Sequence, residues 1–116
     1  MVIRPISDDE RRVLELLLEV DFPGVEELRA QVPSLVVAGR CGCGCPTVEF
    51  QMVDQRIEEG GLESEPVEGI VDAGLILLLT KNGQISCLEY VPLESEPPER
   101  WPRSADIKVF KTQRFA

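Results

Sequence analysis

An amphipathic apolar pattern opens the chain. Four apolar residues recur at intervals of three and four positions and therefore share one face of a helix: Val13, Leu14, Leu17 and Leu18. The preceding Ser7-Asp8-Asp9-Glu10 has the form of a capping box, in which each side chain accepts from the other residue's backbone amide. Pro23 disfavours helical geometry at the residue before it. The pattern predicts a helix over residues 8–20.

A second, shorter helix is predicted directly afterwards. Three apolar residues share its inner face: Val25, Leu28 and Val32. Pro23 suits a first helical turn, and Pro33 ends the pattern. Because the link between the helices is short, we expect an angled pair over residues 8–32 that packs against a common surface.

From Leu35 onwards the apolar period becomes that of β-strands. Residues 35–38 and 48–52 predict two strands, and residues 107–110 predict a short edge strand. Between them, residues 54–65 are rich in acidic residues and glycine, which is typical of a polar loop. The period therefore indicates a sheet that follows the helical pair.

The clearest strand signal runs over residues 74–91. Asn82-Gly83 is a two-residue hairpin connection in which both residues accept a positive φ. This register pairs Leu78 with Cys87. One face of the hairpin would then carry Ile76, Leu78, Ile85, Cys87 and Val91, and the opposite face Leu75, Leu77, Leu79, Leu88 and Tyr90. Because both faces are apolar, we expect the hairpin at the centre of the sheet, covered on both sides.

The predicted fold is a single α+β domain over residues 1–116. It consists of the helical pair 8–32, an antiparallel sheet 35–91 that includes the acidic loop 54–65, and an extended C-terminal segment 92–116, of which residues 92–104 are rich in Pro and Glu. The two N-terminal helices pack on one face of a sheet of four to five strands with a central Asn-Gly hairpin. A second copy of the chain or the C-terminal segment would then cover the other face.

Charge is unevenly distributed along the chain. The net charge is −9, with 20 acidic and 7 basic side chains in residues 1–99 and five basic against one acidic in residues 100–116. An acidic body disfavours nucleic acid, because affinity for phosphates comes largely from Lys and Arg. The longest apolar run, residues 75–79, is too short to cross a bilayer, and the first residues lack the apolar region of a signal peptide. We therefore expect a cytoplasmic protein with reduced thiols and no nucleic-acid or membrane partner.

Three of the four cysteines alternate with glycine in residues 41–45. In an extended run their side chains project to one face, which suits tetrahedral zinc or Cu(I). The candidate metal ligands are Cys41, Cys43, Cys45 and Cys87. The spacing differs from common zinc sites and from thioredoxin-like redox sites, and the chain has no histidine. We favour a glycine-rich turn with reduced thiols and no cofactor, with zinc or copper binding as the alternative.

The absence of histidine also bears on catalysis. Nucleophilic catalysis by Ser or Cys usually needs a histidine base, and the chain has none. The glycines of residues 39–44 resemble a nucleotide-binding pattern, but a strand is predicted after them in place of a helix. We therefore favour a protein without enzyme activity and name no catalytic residue. Catalysis by paired carboxylates in a pocket between the helices and the sheet stays open, since the chain has 21 acidic residues.

Several segments resemble small actinobacterial proteins of unknown function. The resemblance rests on residues 22–31 (Phe-Pro-Gly-x-x-x-Leu-Arg-Ala-Gln), Pro66-Val67-Glu68, Cys87-Leu88-Glu89-Tyr90, Pro102 and Ile107-Lys108-Val109. It implies an α+β domain with two N-terminal helices on an antiparallel sheet, in cytoplasmic proteins that include partners of toxin systems. The cysteine loop is present in only some of these relatives, and the resemblance implies no functional residues.

Two hypotheses of function follow. The first is a non-enzymatic binding protein whose acidic surface suits a basic protein partner, as in an immunity protein that neutralises a cationic toxin, with homodimerisation through the sheet as a further expectation. The alternative is a small thiol-rich protein that binds zinc or copper through the cysteine loop. The two differ in whether the cysteines or the carboxylates carry the function.

Overall fold

The computed structural model of the chain describes residues 3–40, 44–53, 62–93 and 96–112. It has two α-helices and two 3₁₀ turns: α1 (Asp8–Leu17), α2 (Val25–Gln31), Val32–Ser34 and Ser104–Asp106. The strands are β1 (Arg4–Pro5), β2 (Leu35–Arg40), β3 (Val48–Met52), β4 (Glu63–Val71), β5 (Gly74–Lys81), β6 (Gln84–Pro92) and β7 (Lys108–Lys111).

The strands form one antiparallel sheet in the order β1-β2-β3-β6-β5-β4-β7. The predicted sheet of four to five strands is therefore wrong, since the described residues already form seven. The β5–β6 hairpin lies near the centre of the sheet, as predicted. Strand β4 begins inside the segment 54–65 that was expected to be a loop; residues 54–61 lie outside the described residues.

Strand β4 was missed because its composition is unusual for a strand. It contains Pro66, Gly69 and three glutamates, all of which are depleted in strands. Pairing with β5 on one side and β7 on the other nevertheless holds it in the sheet. A methyl group added at Gly69 would lie 2.8 Å from the Ile107 side chain, so this residue also lets the C-terminal segment approach the sheet closely.

The capping box at the start of α1 is confirmed. The Ser7 hydroxyl accepts from the Glu10 amide at 3.1 Å, and the Ser7 amide donates to the Glu10 carboxylate at 2.7 Å. The Arg4 guanidinium also donates to both carboxylate oxygens, at 3.0 and 2.7 Å. Because Arg4 belongs to β1, the Glu10 carboxylate joins the helix start to the edge of the sheet.

Helix α1 ends at Leu17, three residues earlier than the apolar pattern predicted. The Arg29 side chain from α2 donates to the carbonyl of Leu18 at 2.7 Å. A carbonyl at a helix end has no partner within the helix, and this contact provides one. The second helix therefore helps to fix where the first one stops.

The core lies between the helices and one face of the sheet. Helix α1 contributes fully buried side chains, and the facing strands contribute a matching set: Val13, Leu14 and Leu17, against Val67, Ile76, Leu78, Ile85 and Leu88. Trp101 and Ile107 of the C-terminal segment join this same cluster. The described part of the C-terminal segment therefore packs on the helix side and does not cover the second face, contrary to one of the two covers expected.

The predicted hairpin turn is present, but the predicted register is wrong. Asn82 and Gly83 have φ values of 54° and 78°. Beyond the turn a β-bulge at Ser86 shifts the pairing, so Leu78 lies opposite Leu88 and not opposite Cys87. The Ser86 hydroxyl donates to the Leu79 carbonyl at 3.1 Å.

The bulge changes which residues reach the core. After it, Leu88 and Tyr90 face the helices together with Ile76 and Leu78, and Cys87 turns to the opposite face. Gln31 of α2 fixes the nearby hairpin end, because its side chain donates to the Gly83 carbonyl and accepts from the Ile85 amide, both at 2.9 Å.

The substitution Glu10→Ala tests the junction between α1 and β1. The hydrogen bond from the Ser7 amide to the Glu10 carboxylate is lost, and the charge of Arg4 loses its partner, so we expect the free energy of unfolding to fall by about 1–3 kcal/mol. Urea unfolding measures this change. The matched control is Glu15→Ala on the exposed side of the same helix, which should cost about 0.5 kcal/mol or less.

The Glu10 carboxylate makes the free energy of unfolding depend on pH. Burial alone would raise the pKa of Glu10, but hydrogen bonds from Arg4 and Ser7 outweigh burial and lower it below the ordinary 4.5. Its contribution to stability is therefore present above pH 4.5 and is lost as the pH falls through the folded-state pKa. Urea unfolding of Glu10→Gln at a series of pH values should lack this acid-side loss; an unchanged pH profile would contradict the assignment.

Candidate functional site

The structure gives positions for two of the four predicted metal ligands. Cys41 and Cys43 lie outside the described residues. Cys45 lies in the turn before β3 and is buried. Cys87 lies on β6, is half-buried, and pairs with Glu49 of β3.

The surroundings of Cys87 favour a protonated thiol. Burial is the largest cause of a pKa raised to about 12, and three carboxylates add to it: those of Glu89, Glu49 and Glu63. The thiol of Cys45 has an effect in the same direction, which places the two cysteines near each other. Metal ligation and disulfide exchange both need a thiolate, so this environment favours neither. In the described part of the chain, no three Cys, Asp or Glu side chains are placed to hold a metal ion.

The second candidate site is the face of the sheet turned away from the helices, called the open face below. Both helices and Trp101 pack on the opposite face, so the described elements form only one covering layer. The open face carries apolar side chains that remain accessible, two of them exposed and four half-buried: Ile70 and Phe110, and Leu75, Leu77, Leu79 and Val91.

These apolar side chains form one continuous patch because of the strand register. Leu75 of β5 lies between Ile70 of β4 and Val91 of β6. Strands in a sheet are about 4.8 Å apart, so the patch extends about 14 Å from β7 to β6. A patch of connected apolar side chains on a sheet face is typical of an interaction surface.

Carboxylates are set within this patch. Leu77 lies between Glu68 of β4 and Glu89 of β6, and both glutamates are half-buried. Together with Glu49 on β3, they form no ion pair with a described residue. Carboxylates held among leucines without a cationic partner are suited to receive a cation from another molecule.

The sequence contained a signal for part of this site. Residues 67–71 (Val-Glu-Gly-Ile-Val) alternate in part between the core and the open face, which is the pattern of a half-buried strand. Glu89 occupies a β6 position whose face depends on the bulge at Ser86. The row Glu68–Leu77–Glu89 is visible only once both strands are in register.

Comparison of the chain with protein-family models, with curated proteins and with solved structures found no match in any of the three. The resemblance drawn from sequence segments therefore stays a prediction. Within the described residues, none of the helices has the length and apolar character needed to span a bilayer.

We predict that Cys87 reacts slowly with alkylating reagents. A rise in pKa from 9.0 to about 12 lowers the thiolate fraction at pH 8 by about 1000-fold, so alkylation should be at least about 100-fold slower than in the urea-unfolded chain. Iodoacetamide labelling followed by peptide mass spectrometry measures the rate at Cys87 separately from the other cysteines. A rate in the folded protein equal to that in urea would contradict the described environment.

Proposed function

We propose that this chain is a non-enzymatic, cytoplasmic binding protein whose open face binds a basic protein partner. The observation that carries the proposal is the row Glu68–Leu77–Glu89, in which two half-buried carboxylates that form no ion pair with a described residue flank an accessible leucine. An immunity-type protein that neutralises a cationic partner would have these requirements.

The apolar patch supplies the centre of the proposed interface. Standard protein interfaces bury about 800 Å² on each partner, with an apolar core inside a polar rim. The patch of about 14 Å is the size of such a core but not of the whole interface. The rest would come from the surrounding carboxylates, from Lys81 at the end of β5, and from Lys108 on the edge strand β7, opposite Ile70.

Charge determines the kind of partner. The chain has a net charge of −9, so a basic protein is attracted at long range before it makes contact. At contact, Lys or Arg side chains of the partner would pair with Glu68 and Glu89, while its apolar side chains cover Leu75 and Leu79. Phosphate-rich nucleic acid and anionic membrane surfaces would be repelled by the same carboxylates.

A second copy of the chain fits this face less well. In a homodimer through the open face, Glu49, Glu68 and Glu89 of one copy would approach the same three carboxylates of the other. Like charges placed against each other in an interface weaken binding by several kcal/mol. We therefore propose a basic protein, and not a second copy of the chain, as the partner of the open face.

The experiment uses a model ligand with the proposed chemistry. A peptide of about ten residues with Lys and Leu in turn at every second position and Ser at the positions between them presents cations and apolar side chains on one face of a strand. We expect it to shift the backbone amide NMR signals of β4, β5 and β6 at the open face, and the peptide with Glu in place of Lys to leave them unchanged.

A pair of charge-matched variants tests the carboxylates. Glu68→Gln with Glu89→Gln should weaken binding of the Lys-Leu peptide at least tenfold, or about 1.4 kcal/mol. Glu15→Gln with Glu19→Gln changes the net charge equally on exposed residues of the helix side and should change affinity less than about threefold. Equal losses in both variants would show unspecific charge attraction, and a concentration-dependent dimer in sedimentation experiments would favour the homodimer; either result contradicts the proposal.

One observation favours the metal-binding alternative: Cys45 lies near Cys87. Metal binding is tested by elemental analysis of protein purified without chelator, with thiols counted after unfolding. About one zinc or copper per chain, lost in Cys43→Ser, would support a metal site. A metal-free protein with four titratable thiols would leave the binding function.

A further inference from the structure

A cavity of about 610 Å³ lies on the helix side of the molecule, away from the open face. It is open to solvent and lies between the N-terminal half of α1 and the C-terminal segment before β7. Six residues line it: Asp9, Arg12, Arg100, Trp101, Arg103 and Ser104. None of them belongs to the cysteine loop or to the open face.

The lining is cationic in an otherwise acidic chain. Three guanidinium groups line it together with one carboxylate, that of Asp9, although acidic residues outnumber basic ones 21 to 12 in the whole chain. Arg103 also pairs with Asp106 at 3.2 Å, so three arginines and two carboxylates leave an excess of one positive charge, which becomes two when Asp9 turns away. This excess suits an anion, and guanidinium groups match the geometry of phosphate oxygens.

The existing contacts leave donors available. Asp9 accepts from Arg12 at 3.4 Å with one oxygen and from Arg100 at 3.2 Å with the other, and Asp106 accepts from Arg103 at 3.2 Å. These distances exceed the upper end of the 2.7–2.9 Å range typical of strong charge-assisted hydrogen bonds by about 0.3–0.5 Å. Each guanidinium has five N–H donors, so these contacts do not exhaust them.

One arginine is fixed and two can adapt. Arg12 donates to the Ser104 hydroxyl at 3.0 Å, and its side chain is 33% exposed. Arg100 and Arg103 are 83% and 84% exposed, and can therefore reorient towards a bound ligand. Asp9 is on the first turn of α1 and can turn towards solvent when a stronger anion replaces it.

We propose that this cavity binds the dianionic phosphate group of a small molecule or of a phosphorylated protein, through Arg12, Arg100 and Arg103. Asp9 occupies the position of the ligand's negative charge in the unbound protein and competes with it. The simpler account is that the ion pairs only hold the C-terminal segment against α1. The two accounts differ in the expected effect of Asp9→Asn: the proposal predicts tighter binding of phosphate, and the simpler account predicts no phosphate binding.

The fluorescence of Trp101 can report binding. Trp101 is the only tryptophan of the chain, and it lines the cavity. Its indole contacts Tyr90 edge-on, with ring centroids 6.4 Å apart. Binding of phosphate beside it should change its fluorescence. The probes are inorganic phosphate and a phosphoserine peptide, each compared with sodium chloride at equal ionic strength.

Saturable binding of inorganic phosphate would identify a small-molecule site, and binding of the phosphopeptide alone would identify a phosphoprotein site; both support the proposal. Arg12→Gln and Arg100→Gln should each weaken binding at least tenfold, while Asp9→Asn should strengthen it about threefold or more. The matched control Arg11→Gln, on the same helix but outside the cavity, should leave affinity within about twofold. Thermal unfolding checks that each variant is folded.

Three results would overturn the proposal: no saturable response to either probe in the wild-type protein, an equal loss in Arg11→Gln and Arg100→Gln, or weaker binding in folded Asp9→Asn. Because Arg100 is highly exposed, its substitution by Gln leaves the core unchanged, and the test does not depend on a variant that fails to fold.

Discussion

A sheet has two faces, and the helices in the described part of this chain cover only one of them. The rest of the structure depends on this constraint. The covered face collects the fully buried residues, among them Val67, Ile76 and Leu88, against α1. Trp101 and Ile107 extend the same layer. The uncovered face cannot be a second core, yet it is not polar, and Leu75, Leu77 and Leu79 alternate with core residues along β5. These leucines are apolar side chains that the single covering layer does not bury.

Local signals in the sequence were sufficient for elements that depend on near neighbours. The capping box at Ser7 and Glu10 and the Asn82-Gly83 turn needed only contacts within a few residues. Partners distant in sequence decided the rest. The end of α1 depends on Arg29, and β4 exists because two strands pair with it although Pro66 and Gly69 oppose it. A propensity of a few tenths of a kcal/mol per residue is easily outweighed by such pairing.

At the candidate site, the extra residue Ser86 determines which face of the sheet the later side chains of β6 occupy. The bulge at Ser86 needs neither glycine nor proline, so nothing in the sequence marked it. A slip of one residue moves every later side chain to the other face. Cys87, predicted to share the face of Ile76, instead lies on the open face among carboxylates, and Leu88 takes its place in the core. The same slip sets Glu89 beside Leu77, which could not be inferred from either strand alone.

The two proposed sites have opposite charge and lie on opposite sides of the sheet. The open face presents Glu68 and Glu89, whereas the cavity presents Arg12, Arg100 and Arg103. The helix layer adds about 10 Å to the sheet that separates them, and at physiological salt charges are screened over about 8 Å. A basic partner on one side would therefore feel little of the arginines, and an anion on the other would feel little of the glutamates. This separation lets a chain of net charge −9 hold a cationic cavity without weakening its acidic surface.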